Sequence, residues 1–349
     1  MATTAQSALN PTWLDVANSM DPNGNIATIV ELMADYNEMV RTGTVLPGNL
    51  STGNQTTVRS TLPSVGLRAL NSGVPKSKST KEPQTDTACL LEGYSEIDKE
   101  EARINDNGAA FMASESIAFL EAMSQSMENY SFYGDTRNDP KEFMGLSPRY
   151  DAAVDRTDPT TQDRRDISYN TFRYAEGDGT TGENTSLWIV TWGAMATHYF
   201  LPKVAGAAAG FEREWLGQQT DIDAATGNMH EIYRTHYTWR LGLTVKDWRS
   251  NLRICNLNQA TLTGGPAATL EETIIDGLHR IRKVMGGRTV IYCNELVASY
   301  LDKRAQQKAN VNLMNQEFMG KQVTSIRGIP ILQTDGILDT EGIVPVVVL

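Results

Sequence analysis

The 349-residue chain is short of the residue types that do most chemistry. Its four histidines, His198, His230, His236 and His279, include no pair at the i, i+4 helical spacing that offers two ligands to one metal. The three cysteines, Cys89, Cys255 and Cys293, are widely spaced, odd in number and set among apolar or β-prone residues. That pattern predicts reduced core thiols in a cytosolic setting, not a disulfide framework or a metal site. No Gly-x-Ser-x-Gly elbow occurs. Gly48 and Gly53 have the spacing of a phosphate-binding loop, but Asn54 stands where that loop needs its lysine. Asp221 and Asp223 begin a calcium-loop pattern that Ala225 and Thr226 break. Carboxylates are plentiful, yet acid/base work requires two of them brought together by the fold. The sequence therefore predicts no enzyme, no cofactor and no metal site.

Long apolar runs are missing too. The longest clean one, residues 344–349, is far short of the roughly 20 residues that a membrane-spanning helix needs. Residues 1–6 offer neither a basic start nor an apolar core, so no secretory signal is expected. Positive charge is also scarce: 31 lysines and arginines face 42 acidic residues, a formal charge of −11. Nucleic-acid affinity comes mainly from neutralising phosphates, so sequence-specific DNA binding is disfavoured.

What the chain does have is an ordinary globular composition, 40% hydrophobic and 21% charged, and length for roughly two compact units. The first twenty-odd residues show no period and read as an extended arm. Asn25 can cap a helix carrying Ile26, Ile29, Val30 and Met33 at helical spacing, which Gly43 ends. Residues 44–82 then turn polar, interrupted by Pro47, Gly53, Pro63, Gly66, Gly73 and Pro75. Within them, 55–60 and 65–70 are β-prone, predicting a two-stranded excursion too thin to carry a core of its own. Such a segment leans on another molecule.

A strand-like stretch at 87–94 leads into the strongest periodic signal. Over 107–130, Ala113, Ser116, Leu120, Met123, Met127 and Tyr130 recur at spacings of three and four, predicting a long helix that Gly134 ends. Its expected packing face is Ala113, Leu120, Met123, Met127 and Tyr130. Residues 150–184 are polar and without period, hence a surface loop or insertion. Strands are expected at 186–193, 233–248 and 252–258, then a helix at 269–285, a strand at 289–293, a helix at 295–308 and β segments at 328–333 and 343–349. The class is α+β.

Several blocks carry a resemblance. They are Thr56-Thr57-Val58-Arg59 through Leu62-Pro63, Ser95-Glu96-Ile97-Asp98-Lys99, and Phe132-Tyr133-Gly134 with Glu142-Phe143-Met144-Gly145-Leu146 and Arg149-Tyr150. Further on stand Thr185-Ser186-Leu187-Trp188-Ile189-Val190-Thr191-Trp192-Gly193, Phe200-Leu201-Pro202-Lys203, Lys246-Asp247-Trp248-Arg249 and Gly328-Ile329-Pro330-Ile331. In this order, over about 21–330, they resemble the major capsid protein of tailed bacteriophages in the Hong Kong 97 type of fold, particularly its short-tailed phage variants. The insertion lies outside the matching blocks.

The resemblance implies an N-terminal arm and short helix at 1–43, and an extended two-stranded loop at 44–97. It implies a peripheral domain at 98–260, with spine helix 107–130 and polar insertion 151–184, and an axial domain at 261–349. It implies a structural virion protein, made in the host bacterial cytoplasm, that assembles with itself in pentamers and hexamers into an icosahedral shell. The shell would enclose double-stranded DNA without sequence-specific binding or a membrane. A decoration or cement protein, scaffolding and portal proteins are the further partners implied. Two alternatives stay open: an encapsulin-like compartment shell around protein cargo, and an α+β enzyme.

Overall fold

The computed structural model describes residues 37–106, 108–153, 166–174, 182–203, 210–222, 227–258, 262, 270–282, 287–305, 313–318 and 321–346. The expected arm, the expected first helix as far as residue 36, and most of the insertion (154–165 and 175–181) lie outside the described residues.

Strand β6 (Asn184–Trp192) is buried along all nine residues. Period-2 geometry sends its side chains to two faces, and each face has its own core. Leu187 and Ile189 join one cluster with Phe172, Leu252, Ile254 and Ile331. Trp188, Val190 and Trp192 join the other with Met127, Phe132, Phe143, Tyr199 and Tyr292. Burying each such side chain contributes about 1.5–3 kcal/mol, so this strand anchors the fold.

On one edge β6 pairs antiparallel with β10 (Leu252–Asn258), which also takes the short parallel β5 (Thr171–Arg173). On the other it pairs antiparallel with β11 (Arg288–Cys293), followed by β14 (Ile329–Gln333), β13 (Lys321–Ile326) and β12 (Leu313–Phe318). Through β7 (Thr197–Leu201) the sheet continues to the 17-residue β9 (Met229–Val245) and β4 (Cys89–Asp98), with β8 (Phe211–Ile222) also on β9 and β1 (Val45–Pro47) on β7. Helices cover both faces. α3 (Leu270–Arg280) and α4 (Glu295–Ala305) place Leu270, Ile274, Val297 and Leu301 on the first core. α1 (Glu38–Thr42) and α2 (Gly108–Tyr133) place Met39, Met127 and Phe132 on the second.

Local chemistry sets the element ends. Asn294 caps α4, its Oδ1 accepting from Val297 N at 3.1 Å. Carbonyls of Tyr130 and Phe143 crowd Gly134, where a Cβ would come within 2.7 Å of each. Gly145 N donates to Gly134 O at 2.8 Å, so residues 143–146 fold back over the end of α2. Glycine is required there by close approach.

The expected α+β class stands, and β10 falls on the expected residues. Five expectations are corrected. The partner of β2 (Gly53–Thr61) in the excursion is β3 (Thr80–Thr87), whereas 65–70 has no regular structure, lying between Pro63 and Gly73. Within the expected loop 44–97, β1 and β4 belong to the main sheet, so only the β2–β3 hairpin projects. The insertion 151–184 is not all surface: Phe172 is fully buried and β5 pairs with β10, a signal masked by polar neighbours. Residue 260 does not divide two units, because β11 pairs with β6 and one core joins Leu252 to Leu270 and Ile331. Residues 343–346 make only an isolated bridge, Val346 to Ala153.

Candidate assembly surfaces

β2 and β3 form a two-stranded sheet of their own, in register from Gly53 opposite Thr87 to Thr61 opposite Thr80. Beyond them, at 62–79, Leu62 is 77% exposed, Val65 92% and Leu70 97%. Polar contacts fix the root. Asn54 Nδ2 donates to Thr244 Oγ1 at 3.2 Å. Arg149 donates to Asp86 Oδ1 at 2.8 Å, and to the carbonyls of Met144 and Leu243 at 3.2 and 3.3 Å. Asp86 is buried and Arg149 nearly so, so removing Arg149 leaves the carboxylate without its cation at a cost of up to about 3–5 kcal/mol. The hairpin thus leaves the body in a fixed direction.

α2 spans 26 residues, about 39 Å at 1.5 Å per residue. Phe119 stacks on Tyr237 of β9 with centroids 5.5 Å apart, Tyr237 OH donates to Ser116 Oγ at 2.7 Å, and Met127 lies 3.8 Å from Cys89 of β4. Of the expected packing face, Met123 and Met127 are buried and Tyr130 is half-buried. Ala113 and Leu120 are exposed, which corrects that expectation. Met112 and Phe119, one position earlier in each case, take the places nearer the sheet. The helix carries apolar residues on more than one side, Ile117 and Leu120 forming an exposed stripe that competed in the sequence pattern.

Two buried charged groups were missed. Glu128 is fully buried, and its carboxylate accepts from Met39 N at 3.0 Å, Val40 N at 3.1 Å and the Thr334 hydroxyl. Burial, aided by nearby Glu38, raises its pKa to about 7. It ties α1 to α2 and to the turn after β14. Arg253 is buried with Glu341 at 3.1 Å and donates to Tyr150 O and Ser186 Oγ, clamping the C-terminal segment to the sheet. An arginine inside the apolar strand 252–258 was the one available signal.

On β4, residues 89, 91, 93, 95 and 97 face α2, as the contact of Gly93 with Phe119 shows, and the alternate residues face away. That outer face is a charged ladder. Arg234 meets Glu96 at 2.5 Å and Asp221 at 3.7 Å, Arg240 meets Glu212 at 3.6 Å, and His236 lies 3.8 Å from Glu92 while stacking on Tyr94 at 4.3 Å.

The groups available for chemistry are dispersed. His198 is buried, and burial with Lys246 nearby lowers its pKa; His279 contacts Arg327 at 2.8 Å. The three thiols are free and buried; burial raises Cys89 to about 11 and Cys255 to about 12, far from a nucleophile's range. Among the described residues no group of three histidine, cysteine or carboxylate side chains could hold a metal. A groove beside α4 is lined by Asn294, Tyr300, Lys303, Arg304 and Asp335, and Arg304 there pairs with Glu271 at 2.9 Å. No described helix is long and apolar enough to cross a membrane.

Comparison with known proteins follows the same lines. The family model for the major capsid protein GP7 matches residues 21–345. A chain in the near-atomic cryo-EM structure of bacteriophage Epsilon15 is 31% identical, covers 98% of this chain and 99% of its own, and superposes with a TM-score of 0.74. The bacteriophage JBD30 capsid is more distant, at 11% identity over 87% of this chain and 91% of that one, TM-score 0.49. The SrpI encapsulin of Synechococcus elongatus PCC 7942 is 12% identical over 66% and 91%, TM-score 0.41. Neither carries weight here. Curated proteins offer no match. A match over nearly the whole chain, together with a projecting hairpin and a long helix on a continuous sheet, places this protein in the major capsid protein GP7 family, coat subunits of tailed bacteriophages with the Hong Kong 97 type of fold.

Proposed function

We propose that this coat subunit closes its icosahedral shell by laying the β2–β3 hairpin across a neighbouring copy. The supporting observation is the hairpin itself: two strands and an irregular tip, with leucines and a valine exposed and no core beneath them. A two-stranded sheet is at best marginally stable in water, so its partner surface comes from another molecule. Closed symmetry multiplies each such contact over the particle, and a segment lying across a neighbour cannot leave without breaking all of its contacts. The subunit's role is structural, with no catalytic step of its own. Pentamers and hexamers of this chain are the proposed capsomers, with scaffolding, portal and decoration or cement proteins as further partners.

The test replaces residues 62–79 by a short turn. The expected product is a soluble subunit with the parent's melting temperature that forms no closed particles in electron micrographs. Closed particles from the shortened chain would overturn the proposal.

A further inference from the structure

We infer that residues 25–36 pack along the first half of α2 in their own subunit, with Ile26, Ile29, Val30 and Met33 laid over the row that carries Ala113 and Ile117. The inference is independent of the hairpin and names an occupant for an apolar surface that the described residues leave open.

That surface is the first observation. On α2, Ala113, Ile117, Glu121 and Glu128 follow one another at spacings of four, four and seven, so they share one row along the helix. The later half of the row is taken. Asn37 Nδ2 donates to Glu121 Oε1 at 3.1 Å, and the Glu128 carboxylate accepts from Met39 N and Val40 N. The earlier half is bare. Ala113 is exposed, Ile117 is 58% exposed, and among the described residues neither belongs to an apolar core. Leu120 borders the row on the side nearer the sheet and lies at the margin of the contact.

The second observation is the direction of the chain. It touches Glu121 at residue 37 and Glu128 at residues 39 and 40, so it advances along α2 in the same sense as α2 itself. Traced back from Asn37, a helical course meets Ile117 first and Ala113 next.

The third observation is phase and length. Met33 stands four residues before Asn37, Val30 and Ile29 seven and eight, and Ile26 eleven, so one helical stripe ends on the residue that already touches α2. With Asn37 beside Glu121, Met33 falls beside Ile117, and Ile29 and Val30 beside Ala113. Residues 25–36 as helix span about 18 Å, and α2 from Gly108 to Glu121 about 20 Å, at 1.5 Å per residue. Asp21-Pro22-Asn23-Gly24 supplies the stop at the far end, and the backbone of Asn37, at φ −92° and ψ 55°, breaks the course before α1.

A helix this short does not hold itself together in water, so its apolar stripe needs a surface. Tethered at Asn37, it meets its own α2 at an effective concentration that a separate copy does not match. Only residues before 25 then remain to reach beyond the subunit.

The experiment uses the full chain with paired cysteines, M33C/I117C, and E31C/I117C as the control on the other side of the stripe. The native thiols are buried, so mild oxidation reads the introduced pair. On non-reducing gels M33C/I117C should give a disulfide within one chain, both in unassembled subunits and in closed particles, and the control should not. Disulfides only between chains would give the surface to a second copy and overturn the inference. No disulfide in M33C/I117C, or equal yield from the control, would overturn it as well. Charge exchange gives an independent readout. M33K and I117E should each lower the melting temperature of the subunit by a few degrees, and M33K/I117E should recover part of the loss, because the two charges then meet. Single variants without effect, or losses that simply add, would count against the contact. None of these outcomes bears on the hairpin, which is tested by the chain shortened at 62–79.

Discussion

At the scale of single residues, Glu128 concentrates the cost of holding the N-terminal segment in place. Its carboxyl is buried without a cation beside it, so the folded state prefers the proton, with a pKa of about 7 against 4.5 in an ordinary setting. A group raised in the folded state contributes stability that is fully present below the unfolded pKa and is lost as pH rises through the folded one. The isolated subunit should therefore lose about 3 kcal/mol between pH 4.5 and pH 7 from this residue. Glu128→Gln cannot ionise, though it keeps an acceptor for only one of the two N–H groups, of Met39 and Val40, that meet separate carboxylate oxygens; whatever its absolute stability, it should flatten the dependence of melting temperature on pH across that window. An unchanged slope would remove Glu128 as its origin. The cysteines give a second expectation. With Cys89 at about 11 and Cys255 at about 12, both buried, a thiol reagent at pH 8 should label the native subunit only at the rate of unfolding. Rapid labelling of any of the three would contradict the packing described. Buried thiols could be read from their apolar neighbours in the sequence; Glu128 could not, because nothing in a helical stripe says which carboxylate will meet two backbone N–H groups from a segment about ninety residues away.

At the scale of elements, α2 shows how a period can place one end of a face, Met123, Met127 and Tyr130, and miss the other, where Ala113 and Leu120 are exposed. Substituting Met123→Asp puts a carboxylate without a partner against the sheet and should cost several kcal/mol, roughly 2–7. Leu120→Asp, at a position 42% exposed, should cost about 1 kcal/mol or less in the isolated subunit. Thermal melts of unassembled subunits compare the two, and equal losses would mean that the face is misassigned. The same physics explains which elements were legible. β10 and β6 are buried and rich in β-branched or large apolar residues, so they stand out as strands. β8 was missed because its twelve residues are mostly exposed on both sides, with Glu212, Arg213 and Glu214 in succession, and only pairing with β9 makes it a strand. The hairpin was legible as a polar two-stranded excursion, but its second strand was misplaced. Val65, Leu67 and Leu70 look β-prone, yet they stand exposed on the irregular tip between the two strands.

At the scale of the molecule, the ordered blocks over 21–330 carried the family and the class, while periodicity alone had no means of joining distant strands. The sheet does that joining. β11 and β14, late in the chain, lie beside β6, and the first core takes Phe172, Leu187 and Leu252 together with Leu270, Val297 and Ile331. A cut at residue 260 would open that core along its middle. Residues 261–349 alone would expose the apolar edge of β11 and the inner faces of α3 and α4, and residues 1–260 would leave the Trp188 and Val190 side of β6 without Tyr292 and Val290. Each piece loses more buried area than a domain stability of about 5–15 kcal/mol can offset. Expressed separately, both fragments should therefore lack cooperative thermal transitions by circular dichroism, and mixed together they should recover one. A cooperative transition in 261–349 by itself would restore the division at 260. Its absence would mean that the residues on either side of 260 fold as one unit, because they share the core on β6 and the pairing of β6 with β11.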